Sequence, residues 1–160
     1  MNAIVAICSD WGIGCENQLL VSNKEDMKHF VKNTKGATVI VGKNTLLSFP
    51  GGPLKGRRNI VIAKDKDWFV EGAEVVHSID EALEATKNDD NVWVIGGASI
   101  YKQMLPLCDR CLVTVHDCVR DADTYFPNLD KDPDWSIEEV LEGGTTPEGI
   151  NYKFVTYKHN

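Results

Sequence analysis

No run of residues in this chain is apolar enough for long enough to cross a bilayer as a helix, and the opening MNAIVAICSDWG has none of the basic residues that begin a secretory leader. Cytoplasmic residence is the expectation. Positive charge is also scarce: 17 Lys and Arg stand against 24 Asp and Glu, a formal charge of -7. A footprint on phosphate backbones or an anionic lipid surface needs a basic face, so no nucleic-acid or membrane partner is expected and small molecules become the expected ligands. Cysteine is sparse and odd in number. Cys8, Cys15, Cys108, Cys111 and Cys118 are scattered along the chain, which argues against a disulfide framework and for free thiols. Repeats, low-complexity tracts and linker-like stretches are missing as well. What remains is one domain of 160 residues, large enough to bury a core without metals or cross-links.

What is present is alternation. Apolar, β-branched runs take turns with segments of helical period: AIVAI, a loop and a helix; TVIVG and a helix; NIVIA; EVV and a helix; VWVIGG and a helix. This order predicts an α/β domain whose largely parallel central sheet carries helices on both faces. Beyond Pro106 the character changes, because CLVTVHDCV, WSIEEVLEG and YKFVTYK have no helix between them. An antiparallel edge to the same sheet is expected there. The first helix should span roughly residues 24 to 34. Its signals are Ser22 followed by Glu25, a capping-box pattern, and Met27, Phe30, Val31 and Thr34 at helical spacing. Asp26 falls at the margin of that apolar stripe. Position alone leaves two roles open: a first-turn acid facing water and favoured by the helix dipole, which is the commoner one, or a partly buried carboxylate that needs a partner.

Two strands end in glycine and lead straight into helices: TVIVG, closing on Gly42, and VWVIGG, closing on Gly96 and Gly97. Such turns aim free backbone N–H groups beyond the strand, where a phosphate is well received. One glycine turn is unremarkable. Two, with Lys43 and Lys64 following strand ends nearby, point to a ligand with several phosphates, and parallel strands would bring both turns to one sheet edge. The sequence has no G-x-G-x-x-G, and GKNT fails as a phosphate loop because Ala37 replaces the first glycine and Asn44 replaces Ser or Thr. An ATPase is therefore disfavoured. Lys43, Lys55, Arg57, Arg58, Lys64 and Lys66 cluster against a single acid, Asp65, as either a solvated surface or a compact anion site. Cys108 and Cys111 form a C-x-x-C, but nothing elsewhere completes a metal site, so two structural thiols and no metal are expected.

These motifs, taken in order, resemble the dihydrofolate reductase family along nearly the whole chain: IVAI with DWGIGCENQL, KEDMKHFVKNT, VIVGKNT, PLKGRRNIVIAK, VWVIGGASIYKQMLP, and VTVHD with DADTYFP. The resemblance implies a single domain with an eight-stranded sheet, a monomer, and antifolate inhibitors as ligands. It also implies reduction of 7,8-dihydrofolate to tetrahydrofolate, with hydride passing from NADPH to C6 and a proton reaching N5, in support of one-carbon metabolism for thymidylate and purine synthesis. Asp26 occupies the position that binds N3 and the 2-amino group of the pterin, a task suited to a carboxylate because it accepts two bonds from one edge. Thr114 would support Asp26 and the pterin through a bridging water. Arg57 matches the arginine that grips the glutamate tail of the substrate with a planar fork. Met27, Phe30, Phe49 and Leu54 would line the slot for the rings, with Ile4, Val5 and Ile95 at its floor.

On the cofactor side the resemblance assigns Ala6, Ile13, Gly14 and Leu19 to the nicotinamide and its covering loop, and Asn17, Gly42 and His77 to NADPH without a finer role. Lys43, Asn44, Thr45, Ala63 and Lys64 would hold the adenosine end and its 2'-phosphate. Ile95, Gly96, Gly97, Ala98, Ser99 and Ile100 would surround the pyrophosphate, with Tyr101 close to the nicotinamide and a cis peptide between Gly96 and Gly97. Three positions depart from the family's pattern. Leu20 and Val21 stand where proline and a water-anchoring tryptophan are common, PGGP at 50 to 53 lacks a basic residue sometimes found there, and Ser99 stands where some members have arginine. Two alternatives accompany this reading: a reductase of similar fold acting on another pterin or on a pyrimidine of riboflavin synthesis, and a binding module without activity.

Overall fold

The computed structural model describes residues 1–16 and 18–160. In chain order the elements are β1 (Asn2–Cys8), β2 (Gly12–Cys15), β3 (Gln18–Leu19), α1 (Lys24–Thr34), β4 (Thr38–Gly42), α2 (Lys43–Leu47), β5 (Arg58–Ile62) and β6 (Glu74–Val76). They continue with α3 (Ile79–Thr86), β7 (Val92–Val94), α4 (Ala98–Met104), β8 (Arg110–His116), β9 (Thr124–Tyr125), β10 (Trp135–Thr145) and β11 (Asn151–His159). Eight strands form one sheet in the order β10-β11-β8-β1-β7-β4-β5-β6, and β3-β2-β9 form a small second sheet. From β8 to β6 every pairing is parallel, whereas β11 runs against both β8 and β10. The mostly parallel sheet with an antiparallel C-terminal edge is therefore as the sequence predicts.

Alternation along the strands divides the core in two, because neighbouring residues point to opposite faces. Ala3, Val5, Ile7, Ile40, Ile60, Val92 and Val94 pack on one face with Ala82 of α3 and with Ile100, Tyr101 and Met104 of α4. Ile4, Val39, Val41, Val61 and Trp93 pack on the other with Leu46 of α2, joined by Phe30 of α1. Helices cover both faces. Among the described residues no helix is long and apolar enough to cross a membrane.

The first helix has the predicted bounds but a different start. Asn23, not Ser22, is its cap: Asn23 has extended backbone and its side chain accepts from the N–H groups of Glu25 and Asp26. The expected apolar stripe is a core face only in part, through Phe30 and Thr34. Only Thr34 of α1 is buried, while Met27 is 52% exposed and Val31 41% exposed.

Candidate active site

We take as the candidate substrate groove the surface that runs from Asp26 of α1 and Thr114 of β8 past Phe30 to Arg57. Asp26, in the first turn of α1, meets Thr114 from the middle of β8, whose hydroxyl donates to Asp26 Oδ1 at 2.6 Å. Asp26 is thus the second of the two alternatives, a partly buried carboxylate with a partner. Burial pushes its carboxyl above the usual carboxylate range; the Thr114 hydroxyl opposes that, and His116 and His29 pull the same way as Thr114 when charged. His29 lies one turn along α1, its ring 4.3 Å from that of Phe154 on β11, and burial lowers its basicity.

The far end of the groove is cationic. Arg57 Nε donates to Thr34 Oγ1 at 3.0 Å and Nη1 to the Lys55 carbonyl at 2.8 Å, and the guanidinium stands 5.9 Å from the Phe30 ring centre. The other three arginines all hold carboxylates: Arg58 binds Glu74 and Asp89, Arg110 binds Glu138, and Arg120 binds Glu148. Among the described residues Arg57 has no carboxylate partner. The basic island of the sequence is therefore split, with Arg58 spent on ion pairs at the β5–β6 edge and Arg57 left for an anion. Between Arg57 and Asp26 the groove is apolar: Phe30, Phe49 and Leu54 pack partly buried against Ile4 and Ile95. Val5 is the exception among the predicted floor residues. Its side chain belongs to the opposite face of the sheet, so that only its backbone faces the groove side.

Beside the groove, the two glycine turns meet as parallel neighbours. Gly42 N–H donates to the Gly96 carbonyl at 2.8 Å, and Ile95 N–H to Ile40 at 3.0 Å. The peptide between Gly96 and Gly97 is cis. A Cβ on Gly97 would stand 2.7 Å from Thr45 Oγ1, so any side chain there would have to displace that of Thr45. Neither α2 nor α4 has a side-chain cap, which leaves their first-turn N–H groups to a ligand or solvent. Tyr101 is buried and donates to the Ile4 carbonyl at 2.7 Å, tying α4 to β1 behind the turns. Ala98 is partly buried; Asn44, Ser99 and Lys64 are exposed at the rim. Ala63 accepts from His77 Nδ1 at 2.9 Å. Lys43 Nζ lies 5.0 Å above the Trp68 ring, an aromatic neighbour that nothing in the sequence pattern marks.

Ala6, Ile13 and Leu19 line one pocket together with Cys8, Leu20, Val21 and His116. Gly14 pairs with Leu19 and Thr124 in the small sheet that forms the outer wall. Asn17 lies outside the described residues. Val21, where a tryptophan is common in the family resembled, is buried with Cys8 and Ile150. The C-x-x-C cysteines sit elsewhere. Both are buried in the core, and burial pushes Cys108 up to about 12 and Cys111 well upward, which disfavours the reactive thiolate. Sequence reasoning missed Asn23, His116 and Trp68. Asn23 carried a readable signal as a good capping residue one position nearer the helix; the other two depend on strands and loops that only the fold brings together.

The sequence model of the family described as "Dihydrofolate reductase" matches residues 1–159. A dihydrofolate reductase of Neisseria gonorrhoeae is 36% identical over 155 residues, 96% of this chain and 95% of that protein. One from Mycobacterium leprae is 37% identical over 141 residues, 83% of this chain and 82% of that protein. Among solved structures, a dihydrofolate reductase from Enterococcus faecalis complexed with NADP(H) and RAB-propyl superposes with a TM-score of 0.91 at 29% identity, covering 99% of this chain and 95% of that one.

Proposed function

The chain belongs to the dihydrofolate reductase family, and from that membership we infer that it reduces 7,8-dihydrofolate to tetrahydrofolate at the expense of NADPH. The observation that carries the placement of the chemistry is the Thr114–Asp26 bond of 2.6 Å at one end of an apolar groove whose other end holds Arg57. The spacing of charges suits a ligand with a polar ring edge at one end and a carboxylate at the other.

In this reading Asp26 accepts two hydrogen bonds from N3 and the 2-amino group of the pterin, and the negative charge so placed raises the basicity of N5. The proton at N5 comes through water, so no second acid is needed. Thr114 fixes Asp26 by donating to Oδ1, leaving the remaining lone pairs directed at the substrate. Phe30, Phe49 and Leu54, with Met27 at the rim, flank the rings and exclude water, while Ile4, Ile95 and the Val5 backbone form the floor. Arg57 takes the tail carboxylate with its fork, already oriented by Thr34 and the Lys55 carbonyl. NADPH, when bound, supplies the hydride that reaches C6.

The close-packed Gly42, Gly96 and Gly97 fit the pyrophosphate, because the glycines let backbone approach it and the α2 and α4 N–H groups remain uncapped. Ala98, Ser99 and Ile100 continue that cradle. Lys43, Asn44, Thr45, Ala63, Lys64 and His77 border the place for the adenosine end, and Ala6, Ile13, Gly14, Leu19 and Tyr101 enclose that for the nicotinamide. Antifolate inhibitors would occupy the groove of Asp26 and Arg57. We place the protein in the cytoplasm as a monomer, with tetrahydrofolate feeding one-carbon transfer. The test is NADPH consumption by the pure protein with dihydrofolate added, against another pterin lacking the glutamate tail. Turnover with clear preference for dihydrofolate is expected; tight binding of both ligands without turnover would sink the reading.

A further inference from the structure

Two side chains, Asn23 at the cap of α1 and His116 on β8, fix the positions of one another's protons. Asn23 Oδ1 accepts from the backbone N–H of Glu25 at 3.1 Å and of Asp26 at 3.2 Å. Only the carbonyl end of an amide accepts, so these two donors settle which way the Asn23 side chain is turned. Its Nδ2, which only donates, then faces His116 Nε2 at 3.1 Å. That ring nitrogen must be bare. The ring proton therefore sits on Nδ1, 3.2 Å from the Ile7 carbonyl, which only accepts. The imidazole is 1% exposed, and both of its nitrogens are matched in the neutral form.

His116 and Thr114 are two residues apart on β8 and so share a face. Thr114 holds Asp26 and His116 holds Asn23. Among the described residues these are the two side-chain hydrogen bonds that join the first turn of α1 to β8. The ring also lines the pocket of Ala6, Ile13 and Val21. We propose that His116 is a positioning residue for the reduction: neutral and protonated on Nδ1, it anchors Asn23 and, through the cap of α1, sets the Asp26 carboxylate against Thr114 and the substrate. The proposal rests on Asp26 as the pterin-binding carboxylate.

The test combines steady-state kinetics of the full chain with nitrogen-15 NMR of its histidines at neutral pH. His116→Leu is expected to lower kcat on the order of 10-fold, because a small misplacement of a substrate-binding group is costly. His116→Gln, whose side-chain oxygen can accept the Asn23 N–H, recovers most of that loss. Asn23→Ser keeps a capping oxygen but lacks the arm to His116; it falls as far as His116→Leu, and the double substitution falls no further. NMR shows His116 with a bare Nε2. An Nε2-protonated or doubly protonated ring, equal losses in the Leu and Gln variants, or no loss in His116→Leu would each overturn the proposal. Should His116→Leu fail to fold, the Asn23→Ser kinetics and the ring tautomer decide. Absence of turnover in the unmodified chain would instead overturn the reductase reading beneath it.

Discussion

At the scale of single residues the site works by partnering charges unequally. Asp26 has a hydroxyl donor but no cation in contact, so burial wins and its carboxyl is raised. A raised acid holds more protons folded than unfolded between the ordinary carboxylate range and its own higher value. Stability of the unliganded protein therefore declines as pH rises through that window, and no penalty remains below it. Asp26→Asn, which still accepts from Thr114, is expected to melt higher than the unmodified chain above the window, with the difference closing at acid pH; thermal melts across pH check this, and a lower melting point at neutral pH would contradict it. Arg57 is the converse case, a cation held by neutral acceptors. Arg57→Lys forfeits a forked contact worth about 1.5–3 kcal/mol, so KM for dihydrofolate should rise roughly 10- to 100-fold with kcat little changed. With a substrate lacking the glutamate tail the two proteins should perform alike.

At the scale of elements the decisive feature is how closely α2 and α4 begin. Their glycines can be read from sequence as strand-to-helix turns, but the crowding at Gly97 comes from Thr45, whose hydroxyl lies 2.7 Å from the place of the missing Cβ. Gly97→Ala must displace the Thr45 side chain, an overpacking of about 1–3 kcal/mol, and should raise the Kd for NADPH roughly 10-fold while sparing dihydrofolate binding. Titration calorimetry with each ligand separates these effects. The helix α1 shows the opposite balance of legibility. Its bounds follow from its cap and period, yet the period misleads about its face: Met27 and Val31 repeat like core residues but border the groove, because a substrate slot demands the same apolar side chains as a core. Ser22 and Asn23 are both good caps, and only the backbone conformation chooses between them.

At the scale of the molecule, the alternation of strands and helices was enough for the sheet, its two covered faces and its antiparallel edge, since each follows from local period and the rules of parallel connection. The same patterns could not show that Arg58 leaves the basic island for Glu74 and Asp89, that Lys43 lies over Trp68, or that His116 meets Asn23. Those pairs join distant parts of the chain, and no local period encodes them. The fold brings the Asp26–Thr114 end and the Arg57 end of one groove together beside the paired glycine turns, with Asp26 as the group that meets the reacting ring. The most direct measurement is the rate of NADPH consumption with saturating dihydrofolate, for the unmodified chain and Asp26→Asn, across pH. If the carboxylate acts by raising N5 basicity, the variant is slower at neutral pH by on the order of 100-fold or more, and the deficit narrows as pH falls and protons become plentiful. Equal rates at neutral pH, or a deficit that does not change with pH, would contradict it.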